Sequence, residues 1–281
     1  MHSKKLSWFK IFNSHIGVVK TLFIILLSVS ILSAVSNKAS AQQASATRVD
    51  VPDWALPGSA THKQVPPPAD FHRATRTDNT PIGVFEGQSD VGAALVPGSS
   101  SYNEASKQYT IVSAGYNLWY QRDEFRYLWK KMSGDVSLAA DIDFPDTAGY
   151  GDRKAFVVIR QSLEDDSKEA VVALHGAGLL HLAWRPEKGQ MMKEVRANNR
   201  RNLPDLVTGH ISRIGIEKHG DYFTLFVSTN GEPMHQVGDP IELRIDGPFY
   251  AGVGFCSHLP AKTDTAILSN VVLENSAGKL K

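Results

Sequence analysis

The chain has 281 residues, 42% of them hydrophobic and 21% charged, with 30 Lys and Arg against 29 Asp and Glu. That length carries one large domain or two small ones with a self-sufficient core, and the scattered, balanced charge leaves no electrostatic footprint for nucleic acid or an anionic membrane. The lone cysteine, Cys256, excludes an internal disulfide and a cysteine metal cluster.

At the N-terminus, Lys4, Lys5 and Lys10 precede an apolar run from Thr21 to Val35, and Ala39-Ser40-Ala41 follows as a small-x-small site. This pattern predicts a secretory signal over residues 1–41, cut after Ala41. The apolar run is shorter than the roughly 20 residues of a membrane span, so an uncleaved anchor is the weaker alternative. The signal holds five lysines and no acid, so its removal leaves 25 basic residues against 29 acidic ones. The expected mature chain is a mildly acidic, secreted or periplasmic protein without membrane insertion.

Residues 42–81 shift to Ala, Ser, Thr and Pro, with Pro66-Pro67-Pro68 in the middle, and read as a linker in which Trp54 and Phe71 would pin the segment to the domain. From Ile82 to about residue 275, short apolar runs alternate with turn residues, and residues 276–281 form a tail. The expected strands run from Gly83 to Phe85, Tyr109 to Ala114, Leu118 to Tyr120, Phe125 to Lys131, Val136 to Phe144, Lys154 to Gln161 and Glu169 to Leu174. They continue from Leu179 to Arg185, Gln190 to Arg196, His210 to Lys218, Tyr222 to Ser228, Ile241 to Leu243, Tyr250 to Cys256 and Thr265 to Leu273. No window keeps a helical period over three turns, so a two-sheet antiparallel sandwich is the economical fold.

The stretch from Tyr109 to Phe144 reads as the central pair of strands, joined at Ser133-Gly134-Asp135. On this reading Phe125, Tyr127, Trp129, Val136, Leu138, Ala140 and Ile142 form the sandwich core, while Arg126, Lys130, Asp141 and Asp143 share the other face. Those charges either pair across strands or line a polar groove for sugar hydroxyls. The segments His175-Gly176-Ala177-Gly178, His219-Gly220-Asp221 and Asn230-Gly231 carry residues that tight hairpins need.

Several segments in order, GVFEGQSDVG (83–92), YTIVSAGYNLWYQRDEFRYLWKKMSGDVSLAADI (109–142), RKAFVVIRQSLEDDS (153–167), ALHGAG (173–178), IEKHGDYFTL (216–225) and FYAGVGFCSH (249–258), resemble a bacterial concanavalin A-like (laminin-G-like, lectin/glucanase) domain. That type occurs alone or beside TolB-like propeller domains. The resemblance implies an all-β jelly-roll sandwich whose concave face or loop rim holds a ligand. Function has to be argued from side chains.

The candidate ligand-binding residues are Trp119, Tyr120, Arg160, His175, His181, Trp184, Arg185 and Asp141. Trp and Tyr offer stacking surfaces, and Arg offers a planar fork for carboxylates or vicinal hydroxyls, with an ion pair to Asp141, Asp143 or Glu169 as the structural alternative for Arg160. His181 and Arg185 fall on one face of their strand. A glycoside hydrolase would need two carboxylates at catalytic spacing, and no Glu-x-Asp-x-x-Glu motif is present. No His-Glu-x-x-His stands in the chain, so no metal or other cofactor is expected, and Glu164-Asp165-Asp166 reads as a solvated turn rather than a calcium loop. Cys256 reads as a buried small hydrophobe.

The leading expectation is an exported carbohydrate-binding or glycan-processing accessory domain with a saccharide as ligand. The alternatives are an enzyme acting on a glycoside or 3-keto sugar and a structural module of an envelope assembly. Whether turnover occurs stays open at this level.

Overall fold

The computed structural model describes residues 73–198 and 207–280. The signal segment, Trp54, Phe71 and the triple proline lie outside them. Among the described residues, fifteen strands, numbered in chain order, form two antiparallel sheets. The eight-stranded sheet runs β1 (Arg76–Asp78), β2 (Gly87–Val91), β5 (Phe125–Met132), β14 (Phe249–Cys256), β7 (Lys154–Arg160), β8 (Glu169–His175), β9 (Leu180–Arg185), β10 (Lys193–Arg196). The seven-stranded sheet runs β13 (His235–Glu242), β12 (Tyr222–Thr229), β11 (Ile211–His219), β6 (Val136–Asp143), β15 (Asp264–Glu274), β4 (Gln108–Ser113), β3 (Ser99–Asn103). The expected all-β, two-sheet jelly-roll sandwich is therefore the observed architecture.

Alternation along the strands builds the layer between the sheets. Leu128, Met132, Val157, Ile159, Val172, Leu182 and Val253 from one sheet meet Ile111, Leu138, Ile214, Ile216, Leu225 and Leu268 from the other in one buried cluster. Burial on this scale contributes about 25 cal/mol per Å² of apolar surface removed from water.

The eight-stranded sheet carries a second core on its outward face. Val91, Phe125, Tyr127, Trp129, Phe156, Val158, Val171, Ala173 and Ala183 cluster there with Leu118 and Met192 from the connecting segments. Phe125 meets Phe156 edge to face at 5.0 Å, and Trp129 meets Tyr250 at 5.2 Å. Glycine in β14 makes room for the rings: a Cβ on Gly254, which pairs with both Tyr127 and Phe156, would stand 2.5 Å from the Phe156 ring.

Several expectations change. β5 and β6 are not partners, because β5 pairs with β2 and β14 while β6 pairs with β11 and β15. Gly134, at φ 76°, turns the chain from one sheet to the other instead of closing a hairpin. Each face of β5 carries large apolar residues, although Arg126 and Lys130 share the phase of Leu128 and Met132, which suits a strand covered on each side. Phe125, Tyr127 and Trp129 consequently belong to the outer core, and Leu128 and Met132 to the inner one.

The proposed charge pairing between β5 and β6 disappears with the hairpin. Arg126 instead binds Asp90, at 3.2 Å, and Ser100, at 3.1 Å, while Asp141 accepts from Arg213 at 2.6 Å on the outside of the other sheet. Gly83–Phe85 and Leu118–Tyr120 are tight turns closed by the single bridges Ile82–Phe85 and Leu118–Asp123. β1 and β3, rich in Ser, Arg and Asp, carry no hydrophobic alternation and were not expected.

Candidate functional site

The outward face of the eight-stranded sheet is polar at both ends and apolar between them. Register sets this layering. Arg160 faces Glu169, which faces Arg185; six residues back along β7 and six onward along β8, Lys154 faces His175. Between them Phe156, Val158, Val171, Ala173 and Ala183 fill the face.

At the first end, Arg160, Glu169, Arg185 and Asp123 form a quartet without exposed side-chain surface. Asp123 takes a two-pronged grip from Arg185, at 2.7 and 2.8 Å, and a third bond from Arg160 at 2.9 Å. Glu169 accepts from both guanidinium groups. Two cations against two anions leave the group neutral, the arrangement that buried charge requires. Arg185 also donates to the carbonyls of Trp119 and Tyr120, at 3.2 and 3.4 Å, so the quartet anchors the loop that carries them.

At the opposite end lies a chain of four side chains. His181 Nδ1 stands 2.7 Å from Glu194 Oε2, His181 Nε2 stands 3.4 Å from His175 Nε2, and His175 Nδ1 faces Asp152 Oδ1 at 3.7 Å. Both imidazoles are buried, at 7% and 3% exposure, whereas 42% of the Asp152 side chain and 19% of Glu194 reach solvent. Beside them the fully buried Lys154 donates to Asn117 Oδ1 at 2.5 Å.

Burial, reinforced by Lys154, drives the His175 pKa down to about 3 against the pull of Asp152, and burial lowers His181 against the pull of Glu194. Burial also lowers the Lys154 amine. The nearby His175 ring brings Asp152 down to about 2. Glu194, pushed up by burial, is drawn net downward by His181 and Arg196. At neutral pH the two imidazoles are uncharged between two ionised carboxylates.

Aromatic rings frame this end. The half-buried Trp119 lies nearly parallel to His181, with 5.7 Å between ring centres and 23° between planes. Tyr150, 37% exposed, stacks on the buried His258 at 5.3 Å. Next to His175, a cleft of about 410 Å³ opens among Phe144, Arg153, Leu174, Gly176, Gly178 and His210.

Of the residues singled out from sequence, Trp119, His175 and His181 come together here. His181 and Arg185 share a face of β9, as their spacing requires, but Arg185 belongs to the quartet with Arg160. The ion-pair alternative for Arg160 is realised through Glu169 and Asp123. Tyr120 is buried, with φ 34°, and packs with Tyr116. Trp184 points to the inner side of its sheet and packs against the inter-sheet core. Asp141 lies on the other sheet, held by Arg213 and by Asn270 at 2.6 Å.

Sequence reasoning passed over Lys154, Asp152 and Glu194. The available signal was phase: Lys154 is in step with Phe156, Val158 and Arg160, so a charged residue opens an otherwise buried face. Asp165 and Asp166 are buried and face Arg122, at 3.9 and 3.5 Å, rather than forming a solvated turn. Cys256 is free and fully buried, and burial raises its pKa. Among the described residues, no three His, Cys, Asp or Glu side chains converge as a metal cage.

No family model and no curated protein matches the chain. Among solved structures, it is similar to a functionally unknown protein from Saccharomyces cerevisiae, at 13% identity and TM-score 0.49 over 64% of this chain and 93% of that one. It is similar to the carbohydrate-binding module CBM66 from Bacillus subtilis at 17% identity and TM-score 0.44, over 69% of this chain and 99% of that one. A GH131 beta-glucanase catalytic domain from Podospora anserina follows at 15% identity and TM-score 0.38, over 71% and 88%. At such identities and TM-scores the reading of the site rests on its own side chains.

Proposed function

We propose that this chain is an exported carbohydrate-binding module whose site is the corner formed by Trp119, His181, His175 and the adjoining cleft. One observation carries the reading: a partly exposed indole stacks on His181, whose Nδ1 meets Glu194, itself held by Arg196, with Asp152 on the far side of His175. An aromatic face suits the C–H surface of a sugar ring, and ionised carboxylates and a guanidinium suit its hydroxyls. A cleft of about 410 Å³ falls within the range of small-ligand sites. The lysine-rich start and apolar run before Ala41 support export.

The test is calorimetric titration of the chain with a panel of neutral and acidic oligosaccharides. Trp119→Ala is expected to lose binding while keeping the unfolding midpoint within a few degrees. Binding that survives this replacement would move the site elsewhere.

A second reading, turnover of a glycan, is favoured by one specific feature. His175 stays unprotonated far below neutral pH, and burial lowers the pKa of the Lys154 amine beside it, so a neutral imidazole adjoins the proposed saccharide. Release of reducing ends or new chromophores from a bound polysaccharide, lost in Lys154→Met, is the outcome this reading expects.

A further inference from the structure

Resting on the saccharide reading of this corner, we infer that the cleft beside His175 selects uncharged saccharides through their hydroxyl hydrogens and rejects uronic-acid and sulfated ones.

Hydrogens are scarce at this end of the sheet. His181 Nδ1 lies 2.7 Å from the ionised Glu194 carboxylate, so that nitrogen carries the proton and donates it. His181 Nε2 is then a lone pair, and His175 Nε2, 3.4 Å away, is the donor to it. A neutral ring has one N–H, which leaves His175 Nδ1 a bare acceptor. His175 is buried on the lining of the cleft, and its Nδ1 has no hydrogen-bond partner among the described residues. Asp152 Oδ1 faces it at 3.7 Å and is an acceptor too, with 42% of its side chain open to solvent. Two acceptors side by side call for hydrogens from outside. Neighbouring hydroxyls of one sugar ring bring one each, whereas a carboxylate or sulfate brings none.

The cations of this corner are already engaged. Arg153, 3% exposed, is the one arginine or lysine on the cleft lining. Its Nη1 donates to Asp264 at 2.7 Å and its Nη2 to the carbonyl of Asp146 at 2.5 Å. Its Nε, though without an acceptor, is buried against the backbone of Gly176, where a Cβ would stand 2.7 Å from it. The fork that could grip a carboxylate is therefore occupied. Lys154 is fully buried on Asn117, and Arg196 is held by Glu194 at 2.6 Å. Asp143, by contrast, is exposed on the lining, across from His175 on the other sheet. An acidic sugar would meet Asp143 and Asp152 with no free cation to offset them, and like charge brought to like charge is a device of rejection.

The experiment is calorimetric titration of the full-length chain with matched tetrasaccharides of glucose, mannose and galactose, each compared with its uronic-acid counterpart, which differs only in a carboxylate at C6. His210 also lines the cleft, so the titrations are made at pH 8 and low ionic strength, to keep imidazole charge and screening out of the comparison. The expected result is binding of a neutral member at least about tenfold tighter than its uronate. That ratio should shrink in Asp143→Asn, which changes an exposed side chain, and shrink further when Asp152→Asn is added. A uronate bound as tightly as its neutral counterpart, or a ratio unchanged in the folded double variant, would overturn this inference and leave the saccharide reading standing. Failure of every saccharide to bind would overturn both.

Discussion

The two ends of the outward face of the eight-stranded sheet are built on the same three strands and treat charge in opposite ways. At one end Arg160, Glu169, Arg185 and Asp123 bury two cations and two anions in direct contact, without solvent exposure. At the other, Lys154 is buried against an amide, and the two histidines lose their charge instead of pairing it. Their carboxylate partners, Asp152 and Glu194, reach solvent. A closed quartet has no valence left for a ligand, so its task is to hold the loop carrying Trp119. The open end keeps imidazoles and carboxylates near a half-buried ring. Burial alone therefore does not separate scaffold from site; completeness of pairing does.

The largest effect that sharpens this contrast is expected at the quartet. Asp123→Ala strips both arginines of a shared partner and should cost about 3–5 kcal/mol, read by denaturant unfolding. Loss of the Arg185 grip should also loosen the loop and weaken saccharide binding indirectly. Little loss of stability would mean that the quartet is not an anchor.

The histidine end is expected to govern acid stability. His175 has a folded pKa of about 3, below the ordinary value of 6.5, so beneath pH 6.5 the unfolded chain binds a proton that the folded chain refuses. Its contribution is complete above pH 6.5 and is lost as pH falls toward 3, amounting to about 3 kcal/mol by pH 4. Asp152, lowered from 3.8 to about 2, loses its contribution in the same direction at still lower pH. Unfolding measured at pH 7 and pH 4 should show a steep loss in wild type and a shallower one in His175→Gln. Equal slopes would contradict the buried neutral imidazole.

Smaller effects separate the two sheets. Trp119→Ala should weaken saccharide binding at least tenfold with a modest change in stability. Asp141→Ala, on the far sheet, should leave binding within about twofold and cost no more than about 1 kcal/mol, as expected for a partly exposed pair with Arg213. A binding defect in Asp141→Ala and none in Trp119→Ala would reverse the assignment of faces.

Much of the fold was legible in the chain. Alternation marked β5, β6, β7, β8, β9, β12 and β14 to within one or two residues, and Gly178, Gly220 and Gly231 do sit at positive φ where turns were expected. What alternation cannot report is sheet membership, because Ser133-Gly134-Asp135 reads the same whether it closes a hairpin or crosses between sheets. Nor did it reveal that Phe125, Tyr127 and Trp129 pack outward, since a face buried under loops looks in sequence like a face buried between sheets. For the site, two-residue phase placed His181 and Arg185 on one face. Lys154, Asp152 and Glu194 were obscured because their importance comes from cross-strand register and loop position, which no local pattern encodes.

The central claim is that the corner holding Trp119, His175 and His181 is the ligand site. The most direct measurement is parallel calorimetric titration of wild type, Trp119→Ala, His181→Ala and Asp141→Ala with the same oligosaccharide panel, each shown folded by its unfolding transition. The account predicts binding by wild type and Asp141→Ala, and its loss in the two corner variants. Retained binding in both corner variants, or no saccharide bound by the wild-type chain, would contradict it.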